Sequence, residues 1–215
     1  DLREVLPKVK ILAIDTATEG CSAALLIDGE IKEKFEVTPR GHTQRILPMV
    51  DELLNDAAIT LKGLDAIAFD RGPGSFTGLR ITAGVVQGLA YGADLPVIPI
   101  SSLAALAISE ELNNNNCKTV VAAIDARMGE VYAATYLLDD TGYPQLQGAE
   151  QVIALDKIEL PTTEWIGIGT GWEYSSALPH ARAIVKLAVR DFNNGDLLSA
   201  AEAQPLYIRD KVVHN

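Results

Sequence analysis

The chain opens the same way twice. Ile11-Leu-Ala-Ile-Asp15 and Val121-Ala-Ala-Ile-Asp125 are apolar runs closed by an aspartate, 110 residues apart. At that spacing Ala23-Ala24 answers Ala133-Ala134, and the turn Asp28-Gly29 has a counterpart in Asp139-Asp-Thr-Gly142. Each half thus begins with a strand ending in Asp, a short turn, a second strand and a hairpin turn. The shared order of elements argues for duplication, and with it two lobes of similar architecture.

In the first half, 9–16 and 21–27 read as strands joined to a third, 30–37, through Asp28-Gly29, a strong hairpin signal. A helix is expected over 43–58, where Ile46, Leu47, Met49, Val50, Leu53 and Leu54 fall at helical spacing. Pro48 lies too deep for a first-turn proline and predicts a kink or a late start. Strand 66–69, a Gly-rich loop, a helix over 77–91, strand 97–100 and helix 102–112 follow, and Asn113 to Asn116 form a linker. The second half reads as strands 119–125, 130–138, 149–154 and 165–169, then a helix over 181–192 stopped by Asn193-Asn194-Gly195. A repeated βββαβα order is a mixed α/β fold of two lobes, 1–112 and 117–215, with the C-terminal segment free to pack back on the first.

Composition narrows the partners. With 215 residues and 48% hydrophobic content the chain can bury a proper core, aliphatic because aromatics are only 6%. Its formal net charge of −11 argues against gripping nucleic acid unaided, since phosphate contacts need a basic face. Cys21 and Cys117 fit no metal spacing and read as two buried thiols of a reducing cytosol. No apolar run approaches the roughly 20 residues that span a membrane, and the first ten residues lack the form of a signal peptide. A cytoplasmic protein without a membrane partner is expected.

Chemistry could reside in three places. Gly72-Pro-Gly-Ser-Phe-Thr-Gly-Leu-Arg80 lies between a strand and a helix, with Ser75 or Thr77 as N-cap, the setting in which helix N-termini bind phosphate. It is neither a P-loop nor a dinucleotide fingerprint. Asp15 and Asp125, with the turn hydroxyls Thr16 and Thr18, would face a cleft between the lobes. There they either hold Mg²⁺ and orient a nucleophile or merely cap their turns. Gly167-Ile-Gly-Thr-Gly171 is a second Gly-rich turn, and Asp15, Thr16, Thr18, Asp125, Gly169 and Gly171 are the nucleotide-binding candidates. Arg71, Arg80 and Arg127 are the basic set near this cleft, each expected to pair with an acid.

Two further patterns bear on function. Gly84, Gly88 and Gly92 recur every four residues, a narrow stripe suited to close approach of another helix, within the chain or from a partner. His42, His180 and His214 stand at no metal-ligand spacing, and no G-x-S-x-G elbow supports a nucleophilic serine.

Several segments together resemble the TsaB family (formerly YeaZ). They are Ile11-Leu-Ala-Ile-Asp-Thr-Ala-Thr18, His42-Thr-Gln-Arg-Ile-Leu-Pro48, Arg71-Gly-Pro-Gly-Ser-Phe-Thr-Gly-Leu-Arg80, Ala122-Ala-Ile-Asp-Ala-Arg-Met-Gly-Glu-Val-Tyr132, Gly169-Thr-Gly-Trp172 and Pro205-Leu-Tyr-Ile-Arg209. The resemblance implies the duplicated fold of the actin, Hsp70 and sugar-kinase (ASKHA) superfamily, RNase H-like in each lobe. It implies a role in making threonylcarbamoyladenosine in tRNA, on the adenosine beside the anticodon. The family member is not the catalyst. It pairs with its paralogue TsaD, which transfers the threonylcarbamoyl group made as an adenylate by TsaC, and the ATPase TsaE joins that pair. Alone it forms a homodimer through the first lobe. No cofactor is implied for the chain alone. ATP or ADP with Mg²⁺ belongs to the complex with TsaD and TsaE, and tRNA contact to the assembled complex.

The catalytic paralogue carries an HHxxGH-type metal motif after the strand that resembles 97–100. Here Ser102 and Leu106 stand at the HxxxH positions, and leucine offers no donor atom. The partner face is assigned to His42, Ile46, Leu47, Val50 and Leu54 of one helix and Phe76, Arg80, Gly84, Gly88 and Tyr91 of the next. The alternative is an ATPase or small phosphotransferase working in the inter-lobe cleft. Two departures from the family pattern stand out, a short 173–183 segment and a longer N-terminal stretch, 1–8.

Overall fold

The computed structural model describes residues 8–209. Most of the N-terminal stretch, residues 1–7, and His214 lie outside the described residues. Five strands, β1 (Ile11–Asp15), β2 (Gly20–Ile27), β3 (Glu30–Val37), β4 (Ala66–Asp70) and β5 (Val97–Ile100), form a sheet in the order β3-β2-β1-β4-β5. β1 is antiparallel to β2 and parallel to β4, which is parallel to β5. That order and sense are those of an RNase H-like lobe. Four strands, β6 (Thr119–Asp125), β7 (Glu130–Leu138), β8 (Pro144–Ala154) and β9 (Ile166–Ile168), form a second sheet in the order β8-β7-β6-β9. Position by position this is the first sheet without its fifth strand, so the duplication is structural.

The hairpins refine the sequence repeat. Asp15 pairs with Ser22, but Asp125 pairs with Val131, so the second hairpin is one residue shorter. Ala24, opposite Ala13, is therefore the counterpart of Ala133, opposite Ala123. The Ala23-Ala24 match at uniform spacing slips by one along the second strand. Asp28 and Gly29 both take positive φ, 52° and 78°, the paired left-handed turn that matches strand twist.

Every residue of β1 and β4 is buried because helices cover both faces of the first sheet. Leu12 and Ile14 face α1 (His42–Asp56) and α2 (Phe76–Ala93), with Ile46, Leu53 and Val86. Ile11 and Ala13 face the opposite side, against Ile184, Val185 and Ala188 of α4 (Ala181–Asn194). α4 thus packs on the first sheet although it belongs to the second half, and the Ala181 N–H donates to Ser22 Oγ at 2.9 Å. Leu103, Leu106 and Ala107 of α3 (Ser102–Ala107), from the first half, pack on the second sheet against Val120, Ala122 and Ile168. The lobes exchange helices.

Four expectations are corrected. α1 begins at His42 and runs through Pro48, so there is no late start; Leu47 and Pro48 are exposed, leaving the carbonyl that lacks its N–H donor open to water. α3 stops at Ala107, and the Ser109 hydroxyl accepts the Glu111 N–H in a separate 3-10 turn over Glu110–Leu112. β8 begins at Pro144 rather than 149, which an edge strand tolerates because its outer donors pair with nothing. The second half has no counterpart of α1 among the described residues: a single 3-10 turn, Leu155–Lys157, stands there.

Candidate functional site

Between the lobes lies an open cleft of about 500 Å³, lined by Thr18, Glu19, His42, Ser75, Phe76, Asp125, Arg127, Tyr132 and Thr170 among others. The sequence placed Asp15 on its wall. The structure does not: Asp15 and Thr16 are wholly buried behind the Gly loop. The Thr16 hydroxyl donates to Gly78 O at 2.7 Å, and the Thr16 N–H donates to Thr82 Oγ1 at 3.0 Å, fixing the β1 end to the first turns of α2. A Cβ on Gly74 or Gly78 would collide with the carbonyls of Ala17 and Thr16. The glycines thus allow α2 and its loop to press directly on the β1 turn.

Three of the loop's backbone donors are engaged within the chain. The Ser75 N–H donates to Ala17 O at 2.7 Å, the Gly72 N–H to Asp70 Oδ1 at 2.8 Å, and the Gly78 N–H to Ser75 Oγ at 3.0 Å. Ser75 is thus the N-cap. The second Gly turn behaves likewise. The Gly169 N–H donates to Ser175 Oγ and the Gly171 N–H to Ala123 O, both at 3.0 Å. A Cβ on either glycine would meet Ala123. Gly169 and Gly171 therefore hold the turn onto β6 and leave Thr170 to face the cleft.

Of the nucleotide candidates, only Thr18 and Asp125 line the open space. The Asp125 N–H receives its partner in Thr170 Oγ1 at 3.1 Å, and Asp125 Oδ1 accepts the Arg127 N–H at 2.9 Å. Arg127 Nη1 stands 4.0 Å from Asp125 Oδ2 and is largely exposed. The two strand-end aspartates are therefore unlike: Asp125 caps an exposed turn, and Asp15 is sealed inside. Burial, first, and the neighbouring Asp70 charge push the Asp15 carboxyl well above the usual carboxylate range. Burial also raises Asp70 to about 6, against the opposing hydrogen bonds from Ser102 and Gly72.

The basic and titratable side chains sort similarly. Arg71 pairs with Glu150 at 2.9 Å. Arg80 lies over the Phe76 ring, 4.0 Å from its centroid, rather than on an acid. His42 Nε2 is 2.7 Å from Thr18 O, and His180, at the start of α4, stacks on Phe35 with Nδ1 3.0 Å from Glu33. Neither imidazole meets a hydroxyl or thiol that it could activate. Cys21 is buried, its thiol pushed up to about 11 by burial, whereas Cys117 is only half-buried, contrary to expectation. Among the described residues no three His, Cys, Asp or Glu gather to hold a metal ion. Ser102 donates its hydroxyl to Asp70 Oδ1 at 2.5 Å, and Leu106 is buried in the core under the second sheet.

The partner-face residues divide. His42, Ile46, Val50 and Leu54 are buried within the chain and belong to α1's inner side, so they are not on its surface. Leu47, Phe76 and Tyr91 are exposed, Tyr91 at 85%, and Arg80, Gly84, Gly88 and Gly92 are exposed as well. Among the described residues nothing lies within 4 Å of a Cβ built on Gly84, Gly88 or Gly92, so the stripe is not packed against the described sheets or helices. Sequence periodicity found this stripe; Thr170 as a cleft residue carried no periodic signal, since a loop places it.

A family model described as tRNA N6-adenosine threonylcarbamoyltransferase (TsaD) matches residues 35–170. The tRNA threonylcarbamoyladenosine biosynthesis protein TsaB of Escherichia coli (strain K12) is 41% identical over 223 residues, 95% of this chain and 96% of the relative. That span exceeds the 215 residues here, so the relative carries residues that this chain lacks. TsaB of Haemophilus influenzae is 42% identical over 228 residues, 96% of each chain. The solved structure of YeaZ from Pseudomonas aeruginosa superposes with a TM-score of 0.86 at 43% identity, covering 93% of this chain and 99% of that one.

Proposed function

The chain belongs to the TsaB (YeaZ) family, and on that premise we propose that it is the non-catalytic partner subunit in tRNA threonylcarbamoyladenosine synthesis, docking on TsaD through α1 and α2. The observation that carries this reading is the exposed Gly84/Gly88/Gly92 stripe, open above every glycine and flanked by exposed Leu47, Phe76 and Tyr91. Each glycine in a helix interior costs about 1 kcal/mol against alanine. Three in register on a solvent face make sense where another helix must approach closely.

The chemistry of the cleft supports a non-catalytic role. The N–H groups of Gly72, Ser75, Gly78, Gly169 and Gly171 are engaged internally, Asp15 is sealed from the cleft, and the positions set against the paralogue's metal ligands hold a hydrogen-bonded serine and a core leucine. On this reading the adenosine beside the anticodon is modified by TsaD, with TsaE and any ATP, ADP or Mg²⁺ joining only in the complex. The same face serves a homodimer when the chain is alone. Residues 1–112 and 117–215 are the two ASKHA lobes, and the first bears the docking face. No helix of the described residues is long and apolar enough to cross a membrane, which suits a cytoplasmic site of action.

Gly88→Leu tests the assignment. The substitution adds bulk only to solvent, so thermal stability is expected to hold while calorimetric affinity for TsaD and self-association both fall at least tenfold. Unchanged affinity for TsaD refutes the face. Turnover of ATP with Mg²⁺ by the isolated chain, lost on Asp125→Asn, would refute the non-catalytic role.

A further inference from the structure

β1 and β4 run side by side in parallel and end on Asp15 and Asp70. The two side chains are 0% and 1% exposed and lie within hydrogen-bonding range of each other. Each uses one oxygen conventionally. Asp15 Oδ1 accepts the Ala17 N–H at 2.9 Å, while Asp70 Oδ1 accepts the Gly72 N–H at 2.8 Å and the Ser102 hydroxyl at 2.5 Å. Asp15 Oδ2 and Asp70 Oδ2 have no donor among the described residues. An ionised carboxylate can only accept, so two ionised groups here would leave two buried acceptors orphaned and two like charges in contact. One proton between them removes both defects.

We propose that Asp15 and Asp70 hold a single proton between their Oδ2 atoms, and that this acid–carboxylate bond locks the β1 and β4 ends beneath the Gly loop. The lock reaches α2 through two residues: Gly72, whose N–H is held by Asp70, and Thr16, whose hydroxyl is bonded to Gly78. A cation is the other way to satisfy facing carboxylates. A divalent ion asks for about six oxygens or more, and among the described residues no third carboxylate, histidine or cysteine joins this pair. Asp15, the superfamily-type cleft carboxylate expected from sequence, is on this reading a structural acid.

The pair makes stability pH-dependent in a defined sense. Asp70 sits at about 6 and Asp15 further above the usual range, burial being the leading cause for both. Of the other groups around them, Glu33 from β3 adds negative potential at Asp15, Arg71 adds positive potential at Asp70, and the Cys21 thiol of β2 stays neutral, being raised to about 11. Folded pKa values above the unfolded value of about 3.9 mean that the native chain binds more protons, so stability falls as pH rises. Above about pH 6 one excess proton remains, and the unfolding constant grows about tenfold per pH unit until Asp15 releases it.

Equilibrium denaturation at rising pH above about 6, over the range in which Asp15 keeps its proton, compared with Asp15→Asn, reads this directly. Asparagine keeps Oδ1 for the Ala17 N–H and offers an Nδ2 proton to Asp70 Oδ2. The wild type is expected to lose about tenfold per pH unit relative to the variant. Parallel profiles overturn the proposal. Infrared spectra of the wild type at neutral pH provide a check independent of the variant's folding: the carbonyl stretch of an un-ionised carboxylic acid is expected, and its absence overturns the shared proton. Added Mg²⁺ is expected to leave the melting temperature unchanged. Stabilisation of the wild type but not of Asp15→Asn would make the pair a cation site and sink the proposal.

Discussion

Replacing Glu150 by alanine is expected to cost the fold about 3 kcal/mol and to loosen one lobe against the other. Glu150 sits on β8 of the second sheet with its side chain only 8% exposed. Oε2 accepts from Arg71 Nη1 at 2.9 Å; Oε1 accepts from Arg71 Nη2 at 3.3 Å, from the Tyr136 hydroxyl at 3.2 Å and from the Ser101 hydroxyl. Arg71 follows β4 and Ser101 follows β5, so one carboxylate joins the first sheet to the second. Removing one partner of a buried pair typically costs about 3–5 kcal/mol, because the other charge is left uncompensated. Arg71 is 23% exposed, so water relieves part of that loss and the lower end applies. For a chain of this size about 3 kcal/mol corresponds to a melting temperature lower by roughly 6–12 °C. Urea denaturation of Glu150→Ala, Arg71→Met and the double variant measures the coupling. A loss under about 1 kcal/mol in Glu150→Ala, or a double variant equal to the sum of the singles, refutes the lock.

Two glycines of α2 should respond in opposite directions to the same substitution. Gly84→Ala adds a methyl to open solvent and is expected to stabilise the isolated chain by about 0.5–1 kcal/mol, whereas Gly78→Ala drives a Cβ into Thr16 O and is expected to destabilise it by about 2 kcal/mol or more; denaturant midpoints check both. At the acid end, Asp139 is held down at about 2, chiefly by the Thr141 hydroxyl at 2.6 Å, with help from the Tyr143 N–H and Gln145. A depressed folded pKa gives stability that is present above about pH 4 and lost as pH falls through 2. Asp139→Asn is therefore expected to flatten the acid limb of the stability profile over that window, and an unchanged limb would count against the turn's contribution.

Much of the fold could be read from residue pattern because local physics wrote it. The apolar runs of β1, β4 and β6, the Asp28-Gly29 turn and the Gly195 helix stop each follow from side-chain chemistry within a few residues. The errors lie where a competing local bond or a distant contact decides. α3 ends five residues early because the Ser109 hydroxyl recruits a nearby N–H. Ile46, Val50 and Leu54 looked like a surface face because an apolar stripe has the same period whether a partner or the chain's own sheet covers it; here the first sheet covers it.

The sequence by itself determined the repeated succession of strands along the chain, the glycine turns and the stripe on α2, since these rest on periodicities of 2 and 3.6 and on the freedom of glycine. Only the tertiary structure decided what the two strand-end aspartates do. Their sequence settings match, Ile-Asp closing an apolar run in both halves. Yet Asp125 meets solvent at the cleft, while Asp15 meets Asp70, brought beside it by a parallel strand some fifty residues later in the chain. An ionisable group's chemistry is set by its burial and its nearest charge, and both are properties of chain segments that meet only when the sheet closes.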